Sequence, residues 1–292
     1  MSLNRAVRGG VSALGAFAMV TLMAAPVLAQ EPADPSPRRI TFTGGVDFRN
    51  AYMFRGIRQD DTGVIGWPHG ELGLTVYSGD SGLKSVRVHA GTWNSLHSGV
   101  AGSDGPSGKQ WYESDVHATL GLGFGGGVSV ETTYTAYVSP NDMFTAVKEM
   151  AVRLAVGDRA RLGGAALRPY ALLAFELDTK PGVGQVDGGL HAGKYLELGM
   201  APGYTARRAS IAFPTTVGLS LGDYYELAGT DHAFGFASVA SIVTVPFGGT
   251  TKFGAWNLHG GAEYQVLGDT PKAFNRGDAS KLLGSIGVGF SY

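Results

Sequence analysis

The chain ends in LLGSIGVGFSY, where Leu282, Gly284, Ile286, Val288, Phe290 and Tyr292 alternate with Leu283, Ser285, Gly287, Gly289 and Ser291. Side chains of an extended strand point to opposite faces with a period of two, so this segment shows one broad apolar face and one small or polar face. The same period recurs upstream. In ELGLTVYS, Leu72, Leu74 and Val76 oppose Glu71, Gly73 and Thr75; in SDVHATLGLGF, Val116, Ala118, Leu120, Leu122 and Phe124 oppose Asp115, His117, Thr119, Gly121 and Gly123. In VSVETTYTAYV, Val128, Val130, Thr132, Tyr134 and Ala136 oppose Ser129, Glu131, Thr133, Thr135 and Tyr137. Beyond Arg39, glycine recurs every few residues and 3.6-residue faces are poor, so the pattern reads as strand and not helix. It predicts twelve strands, at 40–55, 69–78, 83–95, 110–124, 128–138, 146–157, 168–178, 194–204, 211–222, 232–246, 252–266 and 280–292. The strand at 232–246 fits either phase.

Connection lengths alternate. GDSG, GGG, ARRAS and GGTT are tight-turn chemistry, whereas GIRQDDTGVIGWP, HSGVAGSDGPSGKQ, TKPGVGQVDGGLHAG, DYYELAGTD and GDTPKAFNRGDAS are long. Only the connections at SPNDMFT and DRARLGGAALR blur the rule. Short turns at one end and long loops at the other are the pattern of an all-β, transmembrane antiparallel β-barrel with short periplasmic turns and long extracellular loops. A tilted membrane strand needs about 9–11 residues, and backbone groups in hydrocarbon must all be paired, which forces the sheet to close. The alternative is a soluble secreted β-sandwich. Aromatic residues fall into two groups consistent with interfacial belts: Tyr52, Phe54, Trp67, Trp93, Trp111 and Tyr112 toward the long loops, and Phe42, Phe124, Tyr204, Phe247, Phe253, Trp256 and Tyr292 toward the turns.

The start of the chain agrees with export. Arg5 and Arg8 precede an apolar stretch that ends in small residues at Ala29, which reads as a signal peptide over 1–29 and not a retained membrane helix. A short Pro-rich periplasmic leader over 30–39 and the barrel over 40–292 follow. Losing Arg5 and Arg8 and no acid leaves 21 basic against 24 acidic residues, a balance without the basic face that nucleic acid requires. The chain has no cysteine, so its exported fold is held without disulfides.

If the apolar phase meets lipid, the other phase lists the lumen: Asp47, Arg49, Arg55, Glu71, Arg87, His89, Asp115, His117, Glu131, Glu149, Arg153, Glu176, Glu197, Asn257, His259 and Glu263. So many ionisable groups imply water, dense ion pairing or both. They read as braces of the wall and as a polar conduit whose charges choose solutes, with a mild cation preference because acids outnumber bases. Lysine at Glu131 or Asp115 is expected to turn that preference toward anions. The function expected is passive diffusion of small hydrophilic solutes or ions across the outer membrane. A non-conducting barrel with partner-binding loops and an outer-membrane lipid-modifying enzyme are the alternatives; no nucleophile elbow is present, so no catalytic residue is assigned. His89 and His117, with Asp115 close, lack short metal-ligand spacing, so neither metal nor cofactor is assigned.

The stretch GVDFRNAYMFRGIRQDDTG, followed by WPHGELGLTVYSGD, resembles the N-terminal signature of the TorF family of porins. The matching positions are Tyr52, Phe54, Arg55, Gly56, Gln59 and Gly63, within about forty residues of detailed likeness. Departures are Asn50-Ala51 before Tyr52, Met53 in place of a β-branched residue, and the acidic Asp60-Asp61. The resemblance implies an outer-membrane barrel and a pore, with Arg55 and Gly56 at the outer rim. The ending is similar to the C-terminal strand of bacterial outer-membrane proteins, which implies the barrel-assembly machinery as a partner beside outer-membrane lipids and small solutes.

Overall fold

The computed structural model describes residues 39–99, 101, 109–158, 162–163, 166–177, 191–206, 209–251 and 254–292. The signal peptide, nearly all of the leader, Arg207-Arg208 of the ARRAS turn and Phe253 of the lower aromatic group lie outside the described residues. In chain order come β1 (Ile40–Arg49), β2 (Tyr52–Phe54), β3 (Ile57–Asp60), β4 (Ile65–Ser78), β5 (Leu83–His97) and β6 (Trp111–Phe124). Next are β7 (Val128–Val138), β8 (Val147–Val156), β9 (Tyr170–Glu176), β10 (Lys194–Met200), β11 (Gly203–Ala206) and β12 (Ala209–Ala212). Then follow β13 (Thr215–Gly222), β14 (Glu226–Leu227), β15 (Thr230–Asp231), β16 (Phe234–Thr251), β17 (Gly254–Leu267), the helix α1 (Asp269–Phe274) and β18 (Ser280–Ser291).

Antiparallel pairing runs around the sheet, and β1 pairs with β18, Val46 opposite Val288, to join the first strand to the last. The result is a closed antiparallel barrel of twelve wall strands. Two of the twelve are interrupted by proline, β10 running into β11 across Ala201-Pro202 and β12 into β13 across Phe213-Pro214. Proline has no N–H to donate. The ladder is carried past these points by Phe213 N–H on the Pro202 carbonyl and Ala240 N–H on the Pro214 carbonyl, both at 2.8 Å.

The outer surface is apolar along the predicted phase. Leu120 is 47% exposed and Ile286 56%, with Leu72, Leu74, Val116, Val152, Leu198, Leu258 and Leu282 exposed on the same side. In β16 the phase that the sequence left open is now fixed, with Phe236 and Ser238 buried inside and Val239, Val243, Val245 and Phe247 outside. A wall of this kind leaves no apolar face to be covered by a second sheet; it is made to meet hydrocarbon.

Three departures from the predicted elements share one cause. The first strand stops at Arg49 instead of residue 55, and the second starts at Ile65 instead of 69. The segment between them is too apolar for an external loop: Ala51, Tyr52, Phe54 and Ile57 are buried, and it folds into the barrel as the β2–β3 hairpin. DYYELAGTD likewise turns inward, burying Tyr224 and Tyr225 ahead of the small β14–β15 hairpin. Of the upper aromatic group Trp111, half-buried and paired opposite the exposed Leu96, stays on the outward phase, but the other five form no belt. Tyr52, Phe54, Trp67 and Tyr112 are buried and Trp93 packs on Tyr52 and Trp67, because all of them lie on the hairpin or on inward positions. The lower group does face out, with Phe42, Tyr204, Phe247, Trp256 and Tyr292 exposed and Trp256 against Phe290 at 4.8 Å.

Candidate functional site

The inward phase encloses two zones. Toward the short turns lies a cavity of about 410 Å³, lined by Arg49, Glu131, Thr133, Arg153, Arg168, Tyr170, Glu197 and Glu263 among polar groups and by Leu172, Met200, Ile242 and Leu283 among apolar ones. Two ion pairs line it, Arg49 on β1 with Glu263 on β17 at 3.6 Å, reaching past the intervening β18, and Arg153 with Glu131 on adjacent strands at 3.5 Å. Arg153 also lies 4.5 Å over the Tyr170 ring. Both oxygens of Glu197 accept tyrosine hydroxyls, from Tyr170 and Tyr195, each at 2.8 Å. The Arg153 and Glu131 side chains are more than a third exposed, so their pair contributes about 0–1 kcal/mol at most and is loosely held. Arg87 is exposed on the same phase, opposite Gly121.

Histidine and carboxylate groups line the adjoining arc of the wall. His259 Nε2 is 2.7 Å and His69 Nδ1 3.6 Å from the two oxygens of Asp47, and His259 Nδ1 is 2.9 Å from Asn257 Oδ1. Farther along, Glu71 receives His89 Nδ1 at 3.1 Å on one oxygen and His117 Nε2 at 3.2 Å on the other. Gly91 makes room for this: a Cβ there would stand 2.7 Å from the His117 ring. The two imidazoles share one acid, the arrangement of a hydrogen-bond network.

Toward the long loops the lumen is filled. Arg55, at the tip of the β2–β3 hairpin, forks onto both oxygens of Glu149 at 3.0 and 3.1 Å and donates to the Tyr224 hydroxyl at 2.6 Å. Its guanidinium lies 3.7 Å over the Tyr195 ring, and its carbonyl accepts the Tyr225 hydroxyl at 2.8 Å. Gly56 follows with φ 84°, a left-handed conformation that glycine takes at little cost, and a Cβ there would be 2.9 Å from Phe236. From the other side Asn275, at the end of α1, donates to the Gly56 carbonyl and accepts the Arg58 N–H, both at 2.7 Å.

A second anchor joins three side chains in a line. Asp60 Oδ2 is 2.7 Å from His97 Nδ1, and His97 Nε2 is 2.7 Å from Ser95 Oγ. Burial works to raise the Asp60 carboxyl, but hydrogen bonds from His97 and Thr62 outweigh it and hold the group below its ordinary value. A carboxylate only accepts, so Nδ1 donates to Asp60 and a neutral ring takes the Ser95 hydroxyl on Nε2. This is the connectivity of a hydrolase triad. Ser95, however, is fully buried, its oxygen also takes the Trp67 indole N–H at 3.0 Å, and Tyr52 of the hairpin packs over Trp67 and His97. The hairpin that completes the triad also covers its hydroxyl.

The structure sorts the residues read from sequence into two groups. Asp47, Arg49, Glu71, Arg87, His89, His117, Glu131, Arg153, Glu197, Asn257, His259 and Glu263 lie on the inward wall, all but Arg87 with the side-chain partners just given. Arg55, Asp115 and Glu149 are sealed at the plug instead, Arg55 on the hairpin and not on a wall strand. Asp115, expected on an open lumen wall, is fully enclosed, so lysine there is no longer expected to change selectivity. Glu176 accepts the Gly193 N–H at 2.7 Å near the long-loop end. Sequence reasoning missed Glu113, Ser95, His97, Asp60 and the inward tyrosines other than Tyr137, which it placed on the inward phase. The tyrosines at 137, 170 and 195 carry the signal of inward phase, and Glu113 shares the phase of Asp115 and His117, but Tyr112 is turned in by a bulge, where Ser95 pairs with Glu113 and Leu96 with Trp111. Glu113 accepts the Tyr52 hydroxyl at 2.7 Å, while its other oxygen and both Asp115 oxygens have no donor among the described residues.

No family model matches the chain, and no curated protein matches it either. Among solved structures, an outer membrane channel from Pseudomonas putida F1 aligns at 11% identity and TM-score 0.45, over 89% of this chain and 99% of that one. The translocator domain of the autotransporter NalP from Neisseria meningitidis gives 12% and 0.44 over 89% and 90%, and outer membrane phospholipase A from Escherichia coli 12% and 0.40 over 85% and 92%. Likenesses of this size carry no argument about activity; the barrel is established by its own strand pairing.

Proposed function

We propose that the protein is an outer-membrane channel for small hydrophilic solutes or ions, narrowed at its long-loop end by the inward β2–β3 hairpin. The observation that carries this reading is the charged cavity of about 410 Å³ enclosed by a barrel whose outside is apolar. Polar lumen walls filter by size, charge and inward-folded segments. In this reading the tight turns and both chain ends lie on the periplasmic side, the long loops face outward, and the last strand is the segment recognised by the barrel-assembly machinery. The TorF-like stretch supports it in a specific way, since Tyr52, Phe54, Arg55 and Gly56 are the residues that build the plug.

One observation favours a second reading. The aromatic and ionic packing around Arg55 fills the long-loop half of the lumen, as a non-conducting barrel would require. Planar-bilayer recordings of refolded protein separate the two. Discrete steps that enlarge when Arg55 and Glu149 are both replaced by alanine support a gated channel, and silence from both proteins overturns it. No hydrolysis is assigned to the line of Ser95, His97 and Asp60: moving the hairpin to admit a substrate would carry Asp60 away. Turnover of mixed phospholipids by the refolded chain would refute that assignment.

A further inference from the structure

At the long-loop end, metal-ligating side chains converge. His191 precedes β10, while Asp223 and Glu226 flank the two buried tyrosines of the inward turn. One donor atom from each lies within 4.8 Å of the other two, and His191 Nδ1 is 3.4 Å from Glu226 Oε1. Glu226 is buried, whereas His191 and Asp223 are exposed, so the three donors have a protein side and an open side. Asp231, opposite Glu226 in the β14–β15 pairing, adds a further acid, its oxygens taken by the Ser220 hydroxyl and the Tyr225 N–H.

We propose that His191, Asp223 and Glu226 form a binding site for a divalent transition-metal ion. An imidazole with two carboxylates supplies the nitrogen and oxygen donors that suit zinc, cobalt or nickel, and three protein ligands with an open side leave a position for water. The imidazole is what separates this set from an acidic patch, which would favour calcium or magnesium. A divalent ion also neutralises two carboxylates held close together, one of them out of water. It would tie the start of β10 to the turn that carries Tyr224 and Tyr225, the two tyrosines bound to Arg55. The proposal does not depend on conduction.

The test is titration of the refolded full chain in detergent with Co²⁺, read by visible absorption, and with Zn²⁺, read by calorimetry. One equivalent of each is expected to bind. His191→Ala and Glu226→Gln should each weaken binding by about tenfold or more, since loss even of groups that only orient ligands costs 10–100-fold. His191 is exposed, so its variant is expected to fold, and unchanged heat-dependent gel mobility checks that it has. No stoichiometric binding, binding unaffected by His191→Ala, or equal affinity for Ca²⁺ would each overturn the assignment.

Discussion

Arg55 sits where three parts of the molecule meet, with Glu149 from the wall, Tyr224 and Tyr225 from one inward turn and its own hairpin around it. Removing one member of a buried, hydrogen-bonded ion pair leaves the other charge enclosed, at a cost of about 3–5 kcal/mol. Arg55→Met is therefore expected to lower stability in urea titrations by that amount, and Arg55→Met with Glu149→Leu to recover much of it. Asp115 gives the opposite sign. Both its oxygens lack donors, so Asp115→Asn, which brings an amide donor beside Glu113, should leave stability unchanged or raise it by about 1 kcal/mol. Asp60 and Asp61 set the pH response of the hairpin. For Asp61, too, burial acts to raise the carboxyl but contacts from Lys281 and Arg58 prevail and lower it. A carboxyl lower in the folded state than in the unfolded chain stabilises fully above the unfolded value, about 3.9, and loses that contribution as pH falls through its folded value. Hairpin release is thus expected below about pH 4, seen as a change in the fluorescence of Trp67 and Trp93, and in Asp60→Asn it should already be partly present at neutral pH.

The hairpin is also the element at which sequence reading and structure part. Strand number and closure were legible, and phase outside β16 as well, because wall strands obey the same two-residue period against the same two media. Residues 50–64 obey neither medium: they are apolar enough to be buried, yet too short and too rich in turn chemistry to form a wall strand. Nothing local says whether such a segment packs outward in an interface or inward into a lumen; that is decided by Glu149, Tyr195 and Asn275, far along the chain. Arg55 and Gly56, expected at the outer rim, stand instead on the inward hairpin. The bulge hid the inward turn of Tyr112 for a related reason, since one extra residue in a strand breaks the two-residue period at that point, whereas Glu113 keeps the phase of Asp115 and His117. Replacing residues 51–63 with a Gly-Ser linker tests the element as a whole. Since β1 and β4 pair directly, from Ile40 opposite Leu74 to Arg49 opposite Ile65, the barrel is expected to assemble without the hairpin. Its conductance should then exceed that of the intact chain; a closed barrel that stays silent would mean the lumen is blocked elsewhere.

At the scale of the whole molecule, the two surfaces of one wall face opposite solvents, and a shift of one position along a strand moves a side chain from one to the other. Leu120 and Glu131 show the contrast. Leu120 stands near the middle of β6, exposed on the outer face between Val88 and Thr132 in the pairing, so arginine there should cost about 2–4 kcal/mol if hydrocarbon touches it. Glu131 pairs with Gly121 on one side and Arg153 on the other and lines the cavity, so lysine there loses only a loosely held ion pair. Leu120→Arg is therefore expected to impair assembly into lipid vesicles while changing little in ion preference. Glu131→Lys is expected to assemble normally and shift the reversal potential under a salt gradient toward anions. The two outcomes exchanged would place the apolar face around the axis and the charges in the membrane, and no arrangement of turns or loops would rescue the barrel from that result.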